Sequence, residues 1–543
     1  MGEWTVDGRD GTKVTHVEQM MGIFLATVYE KAKELQTILD NDPLKFESIE
    51  QEAKELFDHG AGLFLTGLIA KSMKTLEHQQ RCDSVRENYV VPLRAGQDRQ
   101  IEVHLASGFS CHAKTRYCQP KTNDKKEPTP GLDIELSLFG FTSGVSPWLV
   151  SKVTRTVALS GSLSQAHIEL LRDGIKLPRN VVDRIVTKAG KEQLTVRERM
   201  LEEFESGQME PGSEFEGKTV SIQVDGGRTR TRSKPERSSP FENIGKTQSE
   251  VTGQPSQGRS KEERRHASYT AAWREPKLFK IYVHERDGRK SEEYSELIDG
   301  TFADADYTER LIAMQMYRLG VHKAKSITFN SDGATWIWDR IDSILERAKV
   351  PKTVSVFRVL DVYHAAENVS KGVKALGEQI VEQPADAILF QPLRTTLRDG
   401  GWREVADKLE ASIQTTTGNC SSNTGLDGAE VLRVIRYLRQ HGEAGHLDYP
   451  MFSLMGLPLG SGSIESAIRR VINLRMKGNG IFWRIPKAEC ILVLRSSILS
   501  GRWDEDRRRI KLAMQKDRKL AMPPIRESTS AKSDTRLEPM ETQ

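Results

Sequence analysis

The stretch Ser326-Ile-Thr-Phe-Asn-Ser-Asp332-Gly-Ala-Thr-Trp-Ile-Trp338 decides the fold. Its first part is rich in β-branched and aromatic residues over the length of a strand, and it stops at an acid followed by glycine. Apolar residues then return at helical spacing. The pattern predicts a strand over 326–329, a carboxylate at its end, and a helix over 334–348. Ligands gather at such strand ends in open α/β sheets.

The same pattern occurs twice more. Val220-Ser-Ile-Gln-Val224 leads into Asp225, and a strand predicted over 353–360 leads into Asp361, before a helix predicted over 363–376. Between them, strands are predicted at 278–284 and 293–298 around an Asp287-Gly288 turn, with a helix at 306–319. Three strands, a helix, a strand, a helix and a strand make a mixed α/β order. If the first, fourth and fifth strands are neighbours, Asp225, Asp332 and Asp361 converge. Converging carboxylates repel unless a cation neutralises them, and oxygen ligands suit Mg²⁺ or Mn²⁺. Two such ions about 4 Å apart serve phosphoryl transfer. An Asp before a helix also serves as its N-cap, which fits Asp332 and Asp361 equally well. Gly226, Gly227 and Gly333 leave room beside the acids for a phosphate backbone.

A further acid, Glu465, falls in the first turn of a helix predicted over 464–473, behind a Gly/Ser loop at 456–463. After it come Arg469, Arg470, Arg475, Lys477, Arg484 and Lys487, interleaved with Phe482 and Trp483. Cations with aromatics fit a surface that tracks phosphates and stacks bases.

The remainder sets the domain plan. At 543 residues the chain exceeds one ordinary domain, and 29% charged residues with no long apolar run suit a soluble protein without a membrane span. The net charge of +4 neither demands nor excludes nucleic acid, so distribution matters more than total. Cys82, Cys111, Cys118, Cys420 and Cys490 are an odd, scattered set, which suits a reducing, cytoplasmic setting. Helices are predicted at 14–39 and 46–76, and strand-like pieces from 89 to 138. Cys111-His112 and Cys118 lack the spacing of a zinc finger.

A helix at 164–172, an Asp173-Gly174 break and a helix at 179–189 ended by Gly190 fit a helix-turn-helix. Arg179, Asn180, Arg184 and Lys188 would read DNA from it. An ordinary helical pair fits the same pattern. Residues 230–267 hold few apolar side chains and are expected to form a flexible excursion, as is the end of the chain. The expected plan is a helical region at 1–88, a small β-containing region at 89–140 and a helix-turn-helix-like region at 141–217. A catalytic domain at 218–502, with a helical insertion at 370–455, precedes a basic, then disordered, tail at 503–543.

Six blocks carry a resemblance: Val224-Asp-Gly-Gly227, Trp273-Arg-Glu-Pro-Lys277, Asn330-Ser-Asp-Gly-Ala-Thr-Trp-Ile-Trp338, Leu360-Asp-Val-Tyr-His-Ala-Ala-Glu367, Gly460-Ser-Gly-Ser-Ile-Glu-Ser466 and Arg475-Met-Lys-Gly-Asn-Gly-Ile-Phe-Trp483. Occurring in order over roughly half the chain, they resemble DDE transposases of bacterial insertion sequences, close to the ISKra-type group and more distantly the Mutator-like elements. The order of elements matches the ribonuclease H fold.

The resemblance implies a catalytic and metal-binding triad of Asp225, Asp332 and Glu465 holding two Mg²⁺ (or Mn²⁺), with an all-helical insertion before Glu465. Asp361 and His364 match an accessory Asp-x-x-His element and rank below the triad. The implied partners are double-stranded transposon-end and target DNA and further copies of the chain, with no membrane. Alternatives are a catalytically inactive or domesticated sequence-specific DNA-binding protein, and a nuclease that cuts without joining.

Overall fold

The computed structural model describes residues 4–7, 13–14, 17–89, 93–94, 96–121, 131–233, 270–376, 390–418 and 427–517. The chain divides into two units, Met1–Leu149 with Arg509–Gln543, and Val150–Arg508.

In the first unit, helices Val17–Asn41 and Phe46–Met73 flank a tight turn. There the Asp42 side chain accepts from the Leu44 N–H. A third helix, Leu76–Asn88, is capped by Thr75. Strands β1 (Trp4–Asp7), β2 (Lys13–Val14), β3 (Gln97–His104), β4 (Ser110–Cys118) and β5 (Leu132–Asp133) form a small sheet of order β2-β1-β4-β3, with β5 also on β4. Cys111 packs with Leu63, Val103 and Phe109, whereas Cys118 packs with Cys82, Val85 and Ile134. The two cysteines of β4 therefore serve different apolar clusters.

The second unit begins within the helix Pro147–Leu159 and continues through Leu163–Arg172, whose N-cap Ser162 accepts from the Gln165 N–H. Gly174 takes a φ of +81° and breaks that helix as its sequence implies. The next helix does not stop at Gly190. It runs from Arg179 to Glu205, because Gly190 lies where this helix meets the helix Ile485–Leu499. A Cβ on Gly190 would stand 2.5 Å from the Cβ of Cys490. This glycine is a close-approach residue, not a terminator.

The central sheet has the order β10-β9-β6-β11-β12. Its strands are β6 (Thr219–Gly226), β9 (Lys277–Val283), β10 (Leu297–Thr301), β11 (Ser326–Ser331) and β12 (Ser355–Leu360). β9 runs antiparallel to β6 and β10, while β6, β11 and β12 are mutually parallel in the order β6-β11-β12. Both faces of β6 are buried, as parallel strands under helices require. Val220, Ile222 and Val224 join a core with helices Ala305–Arg318 and Ile341–Arg347. Ser221 and Gln223 occupy the alternate face.

Several elements differ from expectation. β10 starts at Leu297 rather than 293, although the Asp287-Gly288 turn is present with Gly288 at a φ of +78°. Beyond the turn the chain stays paired as far as Ser291, whose N–H donates to the Val283 carbonyl at 2.8 Å, and leaves the ladder before β10; there the buried Glu296 meets Lys280 at 2.8 Å and Lys290 at 3.1 Å. The helix expected at 334–348 is split into Thr335–Trp338 and Ile341–Arg347. Residues 230–233 are not part of a loop. They belong to β7 (Thr229–Ser233), which pairs with β8 (Thr270–Arg274) as a two-stranded ribbon. The rest of the expected excursion, 234–269, lies outside the described residues.

The described residues of the segment expected as an insertion are mainly helical. Val362–Ala375, Phe390–Arg398, Trp402–Gly418, Gly428–Glu443 and Tyr449–Leu454 close around Val369, Leu397, Val405, Val431 and Leu438. At the C-terminal side, Trp503–Asp517 is a helix rather than tail, and 518–543 lie outside the described residues. No helix among the described residues is long and apolar enough to cross a membrane.

Candidate functional site

The register of three parallel strands builds the site. Val224 pairs with Ser331, and Ser331 with Leu360. The next residues along β6, β11 and β12 are Asp225, Asp332 and Asp361, so three carboxylates leave one sheet edge on adjacent strands about 4.8 Å apart. The Asp361 N–H still donates to the Ser331 carbonyl at 3.0 Å, which keeps this row in register.

Glu465 reaches the same edge through buried polar side chains. Gln223 donates to the Gly460 carbonyl at 3.1 Å and accepts from the Ile464 N–H at 3.0 Å. Asn330 donates to the Pro458 carbonyl at 3.2 Å. Asp361, 0% exposed, accepts from the Tyr363 and His364 N–H groups on Oδ1 at 2.6 and 3.0 Å, and from the Ser461 N–H on Oδ2. One carboxylate thus caps the helix Val362–Ala375 and pins the loop before Glu465. From the helix Gly462–Ile468, Glu465 Oε1 accepts from Ser461 Oγ at 3.3 Å and lies 3.6 Å from His364 Nε2.

The tightest set differs from the expected triad. Ligand atoms of Asp361, His364 and Glu465 lie within 4.8 Å of one another. Asp225 and Asp332 do not complete such a set with Glu465; each turns a carboxylate oxygen toward a local N–H. Asp225 Oδ1 accepts from Gly226 at 2.6 Å, and Asp332 Oδ1 from Ala334 at 3.1 Å. His364, ranked below the triad from sequence, is therefore a direct neighbour of Glu465.

Charge still joins all of them. Burial, and then the charges of Asp332 and Glu465, push the Asp225 carboxyl up to about 6, against the Gly226 N–H and His364, which favour its ionised form. Loss of solvation is the largest of these effects, and the neighbouring carboxylates add to it.

The glycines beside the acids are filled by protein rather than left open. A Cβ on Gly227 would meet Ile472 at 2.4 Å, one on Gly333 the Tyr437 ring at 2.2 Å, and one on Gly226 the Glu275 carboxylate at 2.2 Å. Behind Asp332, the Trp338 indole N–H donates to the Asp332 carbonyl at 2.7 Å while its ring stacks on His446 at 4.4 Å. Burial pushes His446 and its neighbour His441 down to about 4, so both are neutral and joined through their Nδ1 atoms at 3.0 Å. This stack ties the Asp332 turn to the helical insertion. Gln223, Asn330, Trp338 and the two histidines were not singled out from sequence. The available signal was a lone amide inside each of two otherwise strand-like runs.

The expected DNA-contacting residues separate into two groups. Arg179, Asn180, Arg184 and Lys188 are all exposed at the start of their helix, and Arg469 and Lys477 are exposed as well. Arg470 is half-buried and paired with Glu296 at 3.2 Å. Arg475 and Trp483 are corrections: at 6% and 8% exposure they belong to the interior. Arg475 donates to the Gly161 carbonyl at 3.2 Å, its guanidinium lies 5.2 Å from the Trp483 ring, and the Trp483 indole donates to the Met476 carbonyl at 3.1 Å. An aromatic beside arginines on an inserted segment looks the same in sequence whether it faces solvent or staples a loop.

In comparisons with known proteins, no family model and no curated protein matches this chain.

Proposed function

We propose that the chain is a DNA transposase of the DDE type, with a ribonuclease-H-like catalytic domain. The observation that carries this reading is the row Asp225, Asp332 and Asp361 on adjacent parallel strands, with Glu465 delivered to the same edge. The sheet order supports it, since the second core strand is antiparallel and the later ones join through helices. So does the helical insertion between β12 and Glu465.

The donor set fits divalent cations. Carboxylate oxygens suit Mg²⁺, and the His364 nitrogen is compatible with Mn²⁺. Asp225, Asp332 and Glu465 would hold the metals, with His364 beside Glu465. Bound there, two ions supply activation of an attacking hydroxyl and neutralisation of the leaving 3′ oxygen. The protein's own residues do the rest. Asp225, whose carboxyl is ionised above about pH 6, would offer its carboxylate to a metal, Asp361 holds the Glu465 loop, and Gln223 and Asn330 fix that loop to the strands. The reaction is nicking at transposon ends followed by attack of the freed 3′-OH on target DNA. The exposed Arg179, Asn180, Arg184 and Lys188 face the duplex, and paired ends call for more than one copy.

The test is cleavage of labelled transposon-end DNA, taken from the sequence flanking the gene, with Mg²⁺ or Mn²⁺. Metal-dependent cleavage that Asp332→Ala abolishes while DNA binding persists is the expected result. Binding without cleavage by the unaltered protein would favour a DNA-binding protein without catalysis.

A further inference from the structure

The ribbon of β7 and β8 leaves the sheet directly from the strand that carries Asp225. Arg230 lies five positions beyond Asp225, a reach of at most about 18 Å. Arg230 pairs in register with Trp273, and Thr229 with Arg274. Trp273 is 47% exposed, and the guanidiniums of Arg230 and Arg228 lie 4.8 and 5.3 Å from its ring centroid. Arg228, Arg232 and Arg274 are exposed, and Glu275 is the acid closest along the chain.

The base of the ribbon is firmly held. The Arg232 N–H donates to the Trp483 carbonyl at 2.8 Å and the Trp483 N–H to the Arg230 carbonyl at 3.0 Å. Thr229 Oγ1 donates to the Met476 carbonyl at 2.7 Å. A buried tryptophan thus anchors a strand whose partner presents an exposed one. An indole costs solvation when left half in water, and arginines beside it add cations in reach of phosphates.

We propose that Trp273, flanked by Arg228 and Arg230, is a stacking site for an unpaired DNA base a few nucleotides from the scissile phosphate. The inference rests on the proposed function for its location beside the metal site, while the stacking itself is testable without catalysis. Indole faces accept any base, and the arginines hold the phosphates on either side.

The experiment uses the full chain and a fluorescent single-stranded oligonucleotide of mixed sequence carrying 2-aminopurine, alongside the same sequence as a blunt duplex. Trp273→Ala should weaken single-strand binding roughly ten- to a hundredfold and abolish the 2-aminopurine quench, with duplex binding changed less than twofold. Trp273→Phe should restore most of both. Arg228→Gln should lower the slope of log affinity against log salt by about 0.7. An unchanged melting temperature for Trp273→Ala excludes misfolding, as its exposure implies. Unaltered single-strand affinity and quench in Trp273→Ala, or no single-strand binding by the wild type, would overturn the proposal. Asp332→Ala binding like wild type while Trp273→Ala fails would support stacking even where no cleavage is found, so the two readings fail separately.

Discussion

Asp225 carries a cost at neutral pH. Its carboxyl is held near 6 by burial and by the charges of Asp332 and Glu465. A folded-state value raised above the unfolded one favours folding below the unfolded value, and that contribution is lost as pH rises through about 6. Asp225→Asn is therefore expected to stabilise the metal-free protein at pH 7.5, on the order of 2 kcal/mol once partial exposure is allowed for. The gain should nearly vanish at pH 4. Chemical denaturation at the two pH values checks this, and equal effects at both would contradict it. If the proposed site takes Mn²⁺, the same linkage makes its affinity rise with pH up to about 6 and level off above that. Asp361 shows the other use of a strand-end acid, with its oxygens given to three backbone N–H groups. Sequence made capping and ligation look alike at Asp332 and Asp361, because both uses need an acid before a helix. Only the partners of each oxygen separate them.

Among the elements, the legible ones were those with strong local chemistry. β6, β11 and β12 showed as β-rich runs ending on acids, and Gly174 broke its helix where expected. Elements decided by distant partners were not legible. β10 begins late because Glu296 answers Lys280 and Lys290, and Gly190 lies inside a helix because Cys490 presses against it. Gly190→Ala tests this directly. At an open helix position the change would help by roughly 0.5–1 kcal/mol. At a close contact involving the Cα and Cβ of Cys490, it is expected to destabilise by about 1–3 kcal/mol in urea unfolding. A stabilised variant would show that the two helices do not meet there. Trp483 reads as a surface residue in sequence for the same reason, since its packing against Arg475 and the Met476 carbonyl depends on a loop that sequence does not place.

At the scale of the whole molecule, the order of elements was legible because each switch from strand to helix carries its own turn residues and apolar period. The convergence of residues far apart in sequence followed from that order. The exact ligand set did not, because side-chain choices among nearby N–H groups, cations and each other are set by tertiary geometry. On the proposed function, Asp225, Asp332 and Glu465 share divalent metal across the sheet edge. Anomalous scattering from crystals grown with Mn²⁺ decides whether they do. One or two peaks bridging Asp225, Asp332 and Glu465, each ion about 2.1 Å from its carboxylate oxygens, are expected. No peak at the strand ends, or one held by Asp361, His364 and Glu465 with Asp225 and Asp332 outside its reach, would contradict it.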